Sequence, residues 1–159
     1  MPKITLPSLE QLKKEFPQFS FEPHEVFHWS ACSNTVYYNP KNIESEKGYS
    51  QLLHELSHAL LGHTYFKSGI ELLKMETDAW QKAKEIAHGQ QFSMSVSHIE
   101  KCLNTYRDWL HLRSVCPTCK NVSVETSMNT YQCFNCLQKW RVPKDQRARK
   151  YRLKQNNTT

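Results

Sequence analysis

Apolar residues along the chain fall into two rhythms, one helical and one extended. Leu12 and Phe16 stand one helical turn apart behind Ser8-Leu9-Glu10-Gln11, a start signal in which Ser8 caps and Gln11 reaches back, and Pro17 closes a short first helix. Residues 19–39 change to aromatic and β-branched character. Val26-Phe27-His28-Trp29 and Thr35-Val36-Tyr37-Tyr38 predict the two strands of a β-hairpin joined by turn-like residues 30–34. After Asn39-Pro40-Lys41-Asn42 the helical spacing returns, predicting a helix from about Glu44 or Tyr49 to Leu61 with Gly62 as its C-cap. The next helix is predicted from Ser68 to His88, with Ile70, Leu73, Thr77/Trp80, Ala83, Ile86 and Ala87 on a broad apolar face and Gly89 at its end. Ser97-His98-Ile99-Glu100 reads as another capping box, opening a last helix through Leu103, Tyr106 and Leu110 to about Leu112.

Composition narrows the class. A chain of 159 residues suits one compact domain with a small appendage and buries a core without disulfides. No run approaches the roughly 18 apolar residues of a membrane span, and the N-terminal stretch lacks the apolar core of a signal peptide, so no membrane and a cytoplasmic location are expected. Four of the six cysteines fall in two C-x-x-C pairs, Cys116/Cys119 and Cys133/Cys136, the spacing of a closed tetrahedral zinc site rather than a secreted disulfide framework. The residues between them have room for one β-hairpin, as in a zinc ribbon. Cys32 and Cys102 are expected to be free, reduced and buried.

Charge is uneven. Six basic residues from Lys144 onward stand against Asp145 alone, so this tail carries +5 of the net +6 and the rest of the chain +1. Any nucleic-acid contact must come from the tail, where Arg147, Arg149, Lys150 and Arg152 are the candidates for phosphate beside an adjoining ribbon.

The chemistry sits in His54-Glu55-Leu56-Ser57-His58. On a helix the two imidazoles lie one turn apart on one face, able to hold one zinc ion with Glu55 beside them as general base. A catalytic zinc needs a third protein ligand and an open position. Glu71, Glu76 and Asp78 on the following helix are the available acids; Glu76 is the expected ligand, with Asp78 either orienting a ligand histidine or serving as the ligand itself. His63 lies about 140° around the helix axis from His58 if the helix continues, so it is expected to act as a C-terminal histidine beside the helix dipole. His24 and His28 are expected to pack or face solvent.

His54 to Gly62, read H-E-L-S-H-A-L-L-G, followed by E-x-x-A at Glu76 to Ala79, resembles the ImmA/IrrE family of zinc metallopeptidases over about residues 25–90. The resemblance implies an α+β fold of zincin-like helices on a small β-hairpin or sheet, with a glutamate of the following helix on the zinc. With the cysteines added, the expected organisation is a peptidase domain over residues 1–112, a four-cysteine zinc ribbon over 113–143 and a basic, disordered tail over 144–159. Two zinc ions per chain are expected, one catalytic and one structural. The implied activity is hydrolysis of a peptide bond in an intracellular protein, Glu55 activating a zinc-bound water, with strand Thr35–Tyr38 offering its edge to an extended substrate. Two alternatives stand beside it: a DNA-associated protease similar to the SprT-like family, which combines the same motif with a C-terminal ribbon but uses a third histidine, and a non-catalytic zinc-ribbon DNA-binding regulator.

Overall fold

In the computed structural model, which describes residues 5–144, 146 and 149–156, the chain is α+β, with four helices and two small sheets. It divides into two compact units: the residues up to Tyr65 together with Met75–Glu100, and Phe66–Lys74 together with the residues from Lys101 onward. The ribbon is thus accompanied by much of the last helix and by tail residues.

The first unit begins with α1 (Leu9–Glu15), capped as its sequence predicts: the Gln11 N–H donates to Ser8 Oγ at 3.1 Å. The Gln11 side chain does not reach back; it donates forward to Glu15. β2 (His28–Ser30) and β3 (Thr35–Tyr38) pair antiparallel as expected, although Val26 and Phe27 lie outside β2 and Ser30 within it, and β1 (Ser20–Pro23) adds in parallel, giving the order β1-β3-β2. β1 is short, buries Phe21 alone and ends in a proline, which an edge strand tolerates and a sequence pattern of alternation does not register. Because β3 is the central strand, both of its edges are used, and it cannot receive a substrate as expected. Among the described residues the free edges belong to β1 and β2.

Helix α2 (Glu46–Leu60) starts at Ser45, whose Oγ accepts the Gly48 N–H at 3.0 Å. Gly48 is required there, since a Cβ would run into the backbone carbonyl of Asn42. The helix buries Leu52, Leu53, Leu56 and Ala59 along with both motif histidines, and it packs against β2 and β3. α3 (Gly69–Gly89) turns Ala79, Trp80, Ala83 and Ala87 inward. Ile70, expected on that face, is 64% exposed, while Glu76 is only 7% exposed. The buried stripe 76-79-80-83-87 keeps helical spacing, so Glu76 stands where an apolar residue would otherwise go.

α4 (Val96–Ser114) is capped by Ser95, not Ser97: the His98 N–H donates to Ser95 Oγ. In the second unit, β4 (Val124–Ser127), β5 (Thr130–Gln132), β6 (Lys139–Arg141) and β7 (Leu153–Gln155) form one antiparallel sheet in chain order. Its core is Cys116, Tyr131, Cys133, Trp140 and Val142, with Tyr131 and Trp140 stacked and the Trp140 indole N–H donating to the Arg113 carbonyl at 2.9 Å. β7 belongs to the segment expected to be disordered. The segment has little apolar surface to bury, but β6 offers unpaired backbone groups that Leu153–Gln155 satisfy. Cys32 also departs from expectation, being exposed. Among the described residues no helix is long and apolar enough to cross a membrane.

Candidate metal centres

Among the described residues, two groups of side chains converge closely enough to hold a metal ion: Cys116, Cys119, Cys133 and Cys136 in the second unit, and His54, His58 and Glu76 in the first.

The cysteine centre is made by local backbone geometry. In each knuckle the first cysteine accepts a return bond on its carbonyl, from Lys120 N–H at 3.0 Å and from Leu137 N–H at 3.1 Å. The N–H of that same cysteine donates to Asn121 or Gln138, at 2.8 and 2.9 Å. Lys120 and Leu137 both adopt positive φ, 66° and 63°, so the two loops repeat one another residue for residue. Backbone N–H groups of Thr118 and Asn135 point at Cys116 and Cys133 sulfur. The sulfurs lie 3.6 Å apart for Cys116–Cys136 and 3.4 Å for Cys119–Cys133, far beyond a disulfide and close to the roughly 3.8 Å edge of a tetrahedron with 2.3 Å metal–sulfur bonds. Hydrogen bonds from Asn121, side chain and backbone, draw the Cys119 thiol down to about 5. At Cys136 a backbone bond from Gln138 pulls downward, yet burial and the neighbouring sulfurs prevail and push it up to about 11. Four thiols this close cannot all ionise without a cation among them, so the donor set fits a divalent metal.

The histidine centre is made by tertiary packing. His54 Nε2 lies 3.0 Å from Glu76 Oε2, His58 Nε2 lies 3.2 Å from Glu76 Oε1, and the two Nε2 atoms are 3.1 Å apart. All three side chains are buried. A tetrahedral zinc with bonds of about 2.0–2.1 Å would separate its ligand atoms by about 3.3 Å, so this trio fits such an ion with little movement. Burial opposes ionisation of Glu76, but hydrogen bonds from His54 and His58 overcome it and hold the carboxyl at about 2. Burial likewise opposes a proton on His58, and the bond to Glu76 outweighs it, so the His58 pKa is raised.

The histidines are oriented by residues that the motif does not contain. His54 stacks on Trp80, centroids 4.1 Å apart, while its Nδ1 is buried with no hydrogen-bond partner among the described residues. His58 Nδ1 meets His63 Nδ1 at 2.8 Å. With a metal on Nε2, His58 would carry its proton on Nδ1 and donate it to His63. The cause is the helix end. Gly62 adopts φ 67°, its N–H bonds to the Ala59 carbonyl at 3.1 Å, and the His63 N–H bonds to the His58 carbonyl at 3.0 Å, the paired bonds of a Schellman ending. That ending folds the residue after glycine back over the residue five before it. The place usually taken by an apolar contact here holds two imidazoles. The Trp29 indole N–H, donating to the His63 carbonyl at 3.0 Å, ties the turn to β2. The sequence signal was a C-cap glycine followed by histidine; the expected 140° separation does not arise because the helix does not continue.

Glu55 is half-buried on α2, its carboxylate accepting from Gln51 at 3.1 Å, and its charge helps to raise the His58 pKa. Asp78 is half-buried on α3 and is not part of the converging trio. His24 and His28 pack on each other and on Tyr37, and neither belongs to a converging group. Of the basic candidates, Arg149, Lys150 and Arg152 are exposed, and Arg147 lies outside the described residues. No protein-family model, curated protein or solved structure matches this chain.

Proposed function

We propose that the chain is a zincin-like peptidase: His54, His58 and Glu76 hold a catalytic zinc ion, the four cysteines hold a structural one, and Glu55 is the general base. The observation that carries this reading is the convergence of two Nε2 atoms and one ionised carboxylate, from separate helices, beside a glutamate that is not consumed as a ligand. Zinc bound there would polarise a scissile carbonyl and lower the pKa of a water to about 7. Glu55 takes the proton of the attacking water and returns it to the leaving amine. His63 and Trp80 fix the two imidazoles, so neither has to be ordered when substrate arrives. An extended peptide would add to the free edge of β2, against which α2 packs.

A carboxylate in third place agrees with the ImmA/IrrE-like resemblance. The SprT-like alternative needs a third histidine on the metal, and His63 instead meets the outer nitrogen of His58. Replacement Glu55→Gln tests the mechanism. The variant should retain its zinc and lose cleavage of an unfolded protein such as labelled casein by at least about a hundredfold. Cleavage at the wild-type rate would remove Glu55 from the reaction.

A further inference from the structure

The second unit contains a cavity of about 660 Å³ whose lining includes none of the candidate metal ligands. Its volume lies within the roughly 300–1,000 Å³ typical of small-molecule sites. The last turn of α4, the first cysteine knuckle and the segment leading into β7 supply its walls. Lys120, Lys150 and Arg152 line it, His111 and Arg113 add to them, and among the described residues no acidic side chain does. Lys120 Nζ rests on the Pro117 carbonyl at 3.0 Å and Arg152 Nη1 on the Val115 carbonyl at 2.7 Å. Those bonds position two cations without neutralising them. Arg113 is itself paired with Glu125 at 3.4 Å, a carboxylate that also accepts the Gly69 and Asn129 N–H groups at 2.8 and 2.7 Å, so among the described residues the unpaired cations of the lining are Lys120, Lys150 and Arg152.

The remaining walls are apolar or aromatic. Trp109 is buried, with the Arg113 guanidinium 4.1 Å from its ring centroid, whereas Tyr151 is 47% exposed and offers its ring. Inorganic phosphate would leave most of this space empty, whereas a nucleotide joins an anionic group to a flat aromatic face in one molecule and so matches both the cations and the exposed tyrosine. We infer that this cavity binds a nucleotide unit, its base against Tyr151 and its phosphate among Lys120, Lys150 and Arg152. The base must be unstacked to enter, so the source is a free nucleotide or a single strand and not a duplex. Lys150 and Arg152 therefore act as walls of a defined site, not as members of a diffuse basic tail. Nucleotide binding here does not depend on peptidase activity.

The test uses the zinc-loaded full chain with two probes, thymidine 5′-monophosphate by calorimetry and a labelled oligothymidylate by fluorescence anisotropy. Saturable binding is expected, with the mononucleotide competing against the oligonucleotide. Tyr151→Ala and Lys150→Glu should each weaken binding at least about tenfold while zinc content and far-UV circular dichroism stay unchanged. An oligonucleotide that binds more tightly than the mononucleotide identifies a strand as the source; equal affinity identifies a free nucleotide. The inference is overturned if neither probe saturates, or if duplex binds more tightly than single strand. It is equally overturned if Lys150→Glu weakens binding while Tyr151→Ala leaves it intact, because a basic surface alone would then suffice.

Discussion

The two candidate metal centres are built at opposite length scales. Each cysteine knuckle is complete within six residues, its sulfurs aimed by backbone bonds that repeat from Cys116–Asn121 to Cys133–Gln138. The histidine centre depends on the α2 register, the α3 rotation that buries Glu76, and a helix ending that returns His63. A site of the first kind has no large apolar core beneath it and would draw its stability from a bound ion. A site of the second kind is held by Leu52, Leu53, Leu56, Trp80 and their neighbours and should survive loss of its ion.

Metal removal is therefore the strongest way to break the comparison. Chelation, or Cys133→Ser, should unfold the ribbon sheet, because structural zinc supplies on the order of 10 kcal/mol to such modules. Amide hydrogen exchange should show protection lost from β4 to β7 and kept in α2. Equal loss in both would mean that the first centre too is organised by its ion.

The pH dependence sharpens the same point. Without metal, Glu76 contributes stability fully above its ordinary 4.5 and loses it as pH falls toward about 2. His58 contributes fully below its ordinary 6.5 and loses the contribution as pH rises through its raised pKa. The melting temperature of the metal-free first unit should thus peak between pH 4.5 and 6.5. Zinc requires neutral His58, so the loaded protein should instead gain stability as pH climbs past that range. Melting curves with the same pH profile with and without zinc would show that the ion does not bind at His58.

A smaller effect isolates the helix ending. His63→Ala removes the acceptor for His58 Nδ1 and should weaken zinc binding at the first centre about 10- to 100-fold without abolishing it. Competition against a chromophoric chelator reads this directly, and an unchanged affinity would reduce His63 to packing.

The same contrast explains what could be read in advance. Local signals carried far: Ser8 and Gly62 as caps, the β2–β3 hairpin, both C-x-x-C knuckles and the two motif histidines on one helix face are written within a few residues each. What needed tertiary contact was less legible. β1 joins its sheet through pairing with β3, and β7 is ordered by β6, neither having a strong apolar pattern of its own. Trp80 and His63 orient the motif from outside it. Glu76 could be nominated as an acid on the next helix, but its burial among Ala79, Trp80 and Ala83 depends on how α3 is rotated, and the exposure of Ile70 shows that the apolar pattern alone points elsewhere.

Everything proposed for the first centre rests on Glu76 being the third ligand, and the zinc content of purified Glu76→Ala measures it. Two zinc ions per wild-type chain and one in the variant, with the ribbon intact, is the predicted result. Two ions retained in Glu76→Ala would contradict the assignment and move the third position to another residue.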